Sequence, residues 1–160
     1  MNALAAIELA AIRPNEWELP LFVHVLGALA LTGAVVLTFI YLVSAWRTGS
    51  EATLRLGVRS LLLGVLPTWI VLRISAEWIA DKEGYADLDE QPDWIGLGYM
   101  ATDLGFLLIV ISGVLSWLAL RKVRGGDAGP KVSARVAAGM VGFLVILNIV
   151  AIWAMTTKPA

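Results

Sequence analysis

The chain has 160 residues, of which 59% are hydrophobic and only 16% charged, with a net charge of -1 and a mean hydropathy of +0.79. Water-soluble domains carry about 25% charged residues and about 45–50% apolar ones, so this is the composition of a membrane protein. The absence of Cys removes thiolate nucleophiles and disulfide scaffolds, and the near-zero net charge gives no basis for a nucleic-acid partner.

At this length a single integral membrane domain, 1–160, is expected. Residues 1–12 lack a basic leader and Glu8 interrupts their apolar stretch, so they predict a short interfacial helix rather than a signal peptide. Leu4, Ile7, Ala11 and Ile12 would lie on its apolar side. Pro14 and Pro20 punctuate the entry to the first span. A spanning helix needs about 20 mostly apolar residues. Residues 19–46 carry no charge between Glu18 and Arg47. Residues 60–72 are again uncharged, and the apolar pattern continues through Arg73 and Glu77. Residues 104–120 extend backward across Asp103, and residues 136–157 run between Arg135 and Lys158. These runs predict an all-α, four-helix transmembrane bundle with spans at 19–46, 52–80, 94–121 and 133–157.

Orientation follows from Lys and Arg near the span ends. The first and third connections and their flanks hold Arg47, Arg55, Arg59, Arg121, Lys122, Arg124, Lys131 and Arg135. The second connection, 81–93, holds Asp81, Glu83, Asp87, Asp89, Glu90 and Asp93 against Lys82. This bias predicts both termini and the acidic loop outside, with the basic connections inside and against anionic lipid. Trp17, Trp78, Trp94, Trp153 and Tyr99 fall near one interface, and Trp46, Trp117 and Tyr41 near the other. Trp69 alone is mid-span, just after Pro67, which predicts a disturbed helix, either a packing kink or a gating hinge. Small residues at Ala134, Ala138 and Gly142, and at Ala101 and Gly105, predict close backbone approach, within the chain or to a second copy.

Few side chains inside the spans carry proton or ligand chemistry: His24, Arg73, Glu77, Asp103 and Asn148. At 1.5 Å rise per residue they fall roughly 5–14 Å below the outer boundary, one from each helix or more, so they predict one polar layer in the outer half. Arg73 and Glu77 are four apart and share a face. Unpaired charge is costly in hydrocarbon, which predicts Glu77 as the local partner of Arg73 and Asp103 as its cross-helix partner. Three readings stay open: an ion pair locking the second helix to the third, a site for an ion, proton or small polar ligand, or snorkelling of Arg73. His24 is the only histidine, and its plain reading is a hydrogen bond between helices. A bis-histidine haem would need a second histidine from another subunit, and copper(I) would draw on thioethers such as Met100 and Met155. The acidic loop lacks calcium-loop spacing, and no phosphate loop, nucleophile elbow or His-Glu metal helix is present. Ser75 is the one serine placed to serve a Ser–His pair, and no catalytic constellation is predicted.

The stretch His24-Val-Leu-Gly-Ala-Leu-Ala-Leu-Thr-Gly33, the Trp46-Arg47 ending of the first span and the tail Val150-Ala-Ile-Trp-Ala-Met-Thr-Thr-Lys158 resemble an uncharacterised bacterial family of small four-span integral membrane proteins. More distantly, the early histidine followed by glycines is similar to the membrane domain of the copper-resistance D proteins. The resemblance implies a bacterial inner-membrane location and assigns no activity; its copper aspect carries over at His24 alone. Three functions are open: a non-enzymatic accessory or oligomeric protein in a larger membrane complex, a transporter or channel-like protein, or a haem- or copper-binding protein using His24.

Overall fold

A computed structural model describes residues 18–85, 92–126 and 131–157. The interfacial helix expected in residues 1–12 lies outside them. Among the described residues the chain is all α-helical. Helix α1 covers Glu18–Thr48, α2 covers Glu51–Lys82, α3 covers Asp93–Arg124 and α4 covers Lys131–Thr157. Each runs one to three residues past most of its expected bounds, because charged residues such as Arg121, Lys122 and Arg124 continue the helix after the apolar run ends. The α1–α2 connection is Gly49 and Ser50 alone. Gly49 takes φ +70, which a side chain would resist, and its N–H reaches the Ala45 carbonyl at 2.8 Å. Ser50 then caps α2, its Oγ accepting from the Thr53 N–H at 3.3 Å.

The disturbance expected near Pro67 takes the form of a π-helical turn, Leu61–Val65, inside α2. Pro67 has no N–H to give the preceding turn, and the wider turn ends just before its ring. The Thr68 hydroxyl donates to the Gly64 carbonyl at 2.7 Å, one residue after the proline.

The helices form a closed ring in the order α1, α2, α3, α4. The most extensive packing is α1 on α2, followed by α3 on α4 and then α1 on α4. The α2–α3 seam closes the ring unevenly: Glu51–Ser60 packs on α3, while Leu66–Lys82 approaches it far less closely. All four helices are long and apolar enough to cross a membrane. Their outward faces are apolar as well, including Phe22, Leu29, Leu63, Ile74, Leu107 and Ile149. So continuous an exposed apolar belt fits hydrocarbon and not water.

The end holding the α1–α2 and α3–α4 connections is the basic end; the other is the acidic end. The apolar core lies almost wholly in the basic half, with Val35 and Leu42 of α1, Leu61 and Val65 of α2, Ile109 and Ala119 of α3, and Ala137 and Val141 of α4. Small residues make it possible. A Cβ on Gly57 would stand 2.8 Å from Leu42, and one on Gly142 would stand 2.9 Å from the Phe39 ring. Ala134 and Ala138 are buried within the single chain, and Gly105 meets Leu144, so these small residues serve the intramolecular core. One buried polar bond crosses this half: Thr38 gives its hydroxyl proton to the Ala34 carbonyl at 2.7 Å, so the Ser60 hydroxyl donates to Thr38 Oγ1, also at 2.7 Å.

Candidate functional site: the polar seam of the acidic half

Where α2 and α3 diverge, side chains bridge them. Trp69, Arg73 and Glu77 follow each other at four-residue intervals on α2, so they share a face. Tyr99, Thr102, Asp103 and Phe106 recur at three- and four-residue spacing on α3, and the antiparallel pairing sets the two series opposite each other. Trp69 Nε1 donates to the Thr102 carbonyl at 3.1 Å, and its ring stacks on Phe106 with centroids 4.7 Å apart. One turn on, Arg73 Nη2 meets Glu77 Oε1 at 2.9 Å, and its guanidinium lies 4.6 Å from the centre of the Tyr99 ring. The Tyr99 hydroxyl donates to Glu77 Oε2 at 3.2 Å and closes the loop back to α2.

Asp103 is the looser member. Its Oδ1 stands 3.8 Å from Arg73 Nη1, an ion pair beyond hydrogen-bond length, and its side chain is 69% exposed. Nη1 is enclosed and has no hydrogen-bond partner. Asp103 is ten residues into α3, about 15 Å from its start, while a helix of 32 residues overruns a hydrocarbon layer of about 30 Å by about 9 Å at each end. The carboxylate therefore sits about 6 Å below the hydrocarbon boundary if the helix is centred in the bilayer. At that depth it needs a counter-charge, and Arg73 is the one at hand.

The expected polar residues gather into separate places. Arg73, Glu77 and Asp103 come together on the α2–α3 seam. His24 lies across the α1–α2 seam, its Nδ1 3.3 Å from Ser75 Oγ. Ser75 donates its proton to the Leu72 carbonyl at 2.9 Å, which makes the Nδ1–H tautomer of His24 the matching donor. Ser75 is 1% exposed, and the carboxylates of this half that pair with Arg73 belong to the other seam, so the Ser–His pair ties two helices and offers no accessible nucleophile.

Asn148 faces the bundle interior and donates from Nδ2 to the Leu144 carbonyl at 2.9 Å. Beside it is a cavity of about 40 Å³, bounded by Leu31, Trp69, Leu72, Ala101, Thr102, Gly105, Leu144, Leu147, Asn148 and Ala151. That is room for roughly two or three waters. It begins where the apolar core ends, and Trp69 is common to its wall and to the seam.

The sulfur candidates go elsewhere. Met100 is an exposed residue of α3, while Met155 packs on Gly98 between α3 and α4, across the bundle from His24. Among the described residues no three His, Asp or Glu side chains converge in a way that would hold a metal ion.

Sequence reasoning alone did not assign Tyr99 to the cluster, because an aromatic near a span end reads as an interfacial anchor. Its signal was the four-residue spacing to Asp103, opposite the equal spacing of Arg73 and Glu77. Glu51 is a second omission. It binds Arg55 at 2.8 Å and Arg124 at 3.2 Å, clasping α2 to α3 at the basic end. Comparison with family models, with curated proteins and with solved structures finds no match to this chain.

Proposed function

We propose that the chain is a non-enzymatic multi-pass protein of a bacterial inner membrane, acting as an accessory or oligomeric subunit, with the Arg73 cluster as an internal lock. The observation that carries this reading is that Arg73 is engaged on three sides by its own chain, by Glu77, Tyr99 and Asp103. A charge paired in this way holds α2 to α3 in the half where their backbones part, although its Nη1 makes no hydrogen bond among the described residues. Replacing Arg73 with Leu should lower the melting temperature in mild detergent, and unchanged stability rejects the lock. The charge bias of the connections supports termini and acidic loop outside. Because the chain has no Cys, a single Cys at Ala86 should react with an impermeant maleimide on intact cells; protection there reverses the orientation.

A second reading, a site for a small polar ligand or ion, is favoured by the cavity that Trp69, Thr102 and Asn148 share beside the lock. It requires water to reach the cavity from the acidic end. Ala151→Cys should then react with a small hydrophilic thiol reagent at a rate well above that of Ile149→Cys on the lipid face. Equal rates remove the reading.

A further inference from the structure

We propose that the basic end is a binding surface for anionic phospholipid, built from one arginine on each helix that has no acidic partner among the described residues. Of the seven cations at this end whose side chains are described, Arg55 and Arg124 converge on Glu51, the one described carboxylate there. Arg47 on α1, Arg59 on α2, Arg121 on α3 and Arg135 on α4 are all exposed and have no acidic partner among the described residues; Lys122 adds a fifth such charge.

Their placement identifies the occupant as an amphiphile. The four arginines belong to four different helices of a closed ring, so they are distributed around the bundle. Each stands at or near the level where the apolar belt gives way. Arg59 shares a face with Leu62 and Leu63, the latter 76% exposed. Arg59 is eight residues into α2, about 12 Å from its start and thus just inside a hydrocarbon layer of about 30 Å, so its long stem must carry the guanidinium outward. Arg121 lies above the exposed Trp117 and Leu118, with its guanidinium 4.9 Å from the centre of the Trp117 ring. Arg135 is held similarly, 5.3 Å from the Trp46 ring and across the α4–α1 seam. A cation–π contact with an indole uses none of the guanidinium's N–H groups as a conventional donor to an oxygen, so these stay available to an oxyanion. Cation above, apolar column below is the complement of a lipid phosphate above its acyl chains. A soluble acidic partner would match the charge and leave the apolar columns uncovered.

The test is made on the full chain in phosphatidylcholine vesicles, with trace spin-labelled phosphatidylglycerol or spin-labelled phosphatidylcholine. The motionally restricted fraction reports association at the protein surface. At low salt phosphatidylglycerol should be preferred, by roughly fivefold for a lipid within reach of one such arginine. The preference should fall toward unity when Arg47, Arg59, Arg121 and Arg135 are all changed to Gln, and by a part of that in each single variant, which keeps the test alive should the combined variant fail to fold. Changing Arg55 and Arg124 to Gln should alter it less, because Glu51 already occupies them. Equal association of the two lipids with the parent chain overturns the proposal, as does a preference that survives all four substitutions. Inorganic phosphate should displace the lipid no better than chloride at equal ionic strength; a specific effect of phosphate transfers the site to a soluble anion and overturns the lipid assignment.

Discussion

The two halves of this bundle are held together by different means. In the basic half, Leu, Val and Ala interlock around glycines, and the fully buried residues of the core fall there with few exceptions. In the acidic half the helices part, a cavity opens and the α2–α3 seam is bridged by Trp69, Arg73, Glu77, Tyr99 and Asp103. Lipid solvates apolar side chains as well as a protein interior does, so burial by itself gives helices little reason to associate. The basic half answers with close packing. The acidic half answers with directional contacts between groups that hydrocarbon would leave unsatisfied. Packing of the first kind tolerates no added volume, whereas the second leaves space and depends on a few identified atoms.

Four tests, built on six substitutions, sharpen this contrast, in falling order of effect. Leu42 is fully buried in the basic half, and Leu42→Ala should cost about 2 kcal/mol in a detergent unfolding equilibrium, mainly from the void left behind. The same truncation at Leu147, beside the existing cavity, should cost clearly less; equal losses would dissolve the distinction. Adding volume should separate the halves by sign. Ala137→Val enters a site of 0% exposure and should destabilise by about 1–3 kcal/mol, whereas Ala151→Val fills free space and should be neutral or raise the melting temperature. Trp69→Phe removes one indole hydrogen bond and should cost about 1 kcal/mol, with opening of the acidic half visible as faster amide exchange on α3 near Thr102. Glu51→Gln weakens a largely exposed clasp and should shift stability least of all, and less still at high salt.

The spans were legible because length and apolarity decide them, and helix ends were off by one to three residues where charged side chains prolonged a helix into the headgroup level. The pairing of Arg73 with Glu77 and Asp103 was legible too, since an intramembrane charge has few ways to be satisfied. How the polar residues of the acidic half divide among the seams was not. Depth can be counted along a helix, but which seam a residue faces depends on helix rotation, and rotation placed His24 with Ser75 on one side and Asp103 on another. Tyr99 was expected only as an interfacial aromatic, since its position near a span end does not say which neighbour its face meets. The location of the cavity has no local signature, because it is fixed by where four separate helices diverge.

The π turn in α2 sets that rotation for everything after it. A helix advances about 100° per residue, so one extra residue in a turn offsets the downstream faces by about that angle relative to the upstream ones. The bundle thus holds two rotational phases in one span, with Glu51–Ser60 keyed to the interlocked core and Leu66–Lys82 turned so that Trp69, Arg73 and Glu77 meet α3. Deleting the exposed Leu63 would return the helix to a single phase. The expected outcome is that Arg73→Leu no longer lowers the melting temperature in the shortened chain, since the guanidinium would already have been swung away from Tyr99 and Asp103. An additive loss would show that the clasp does not depend on that phase.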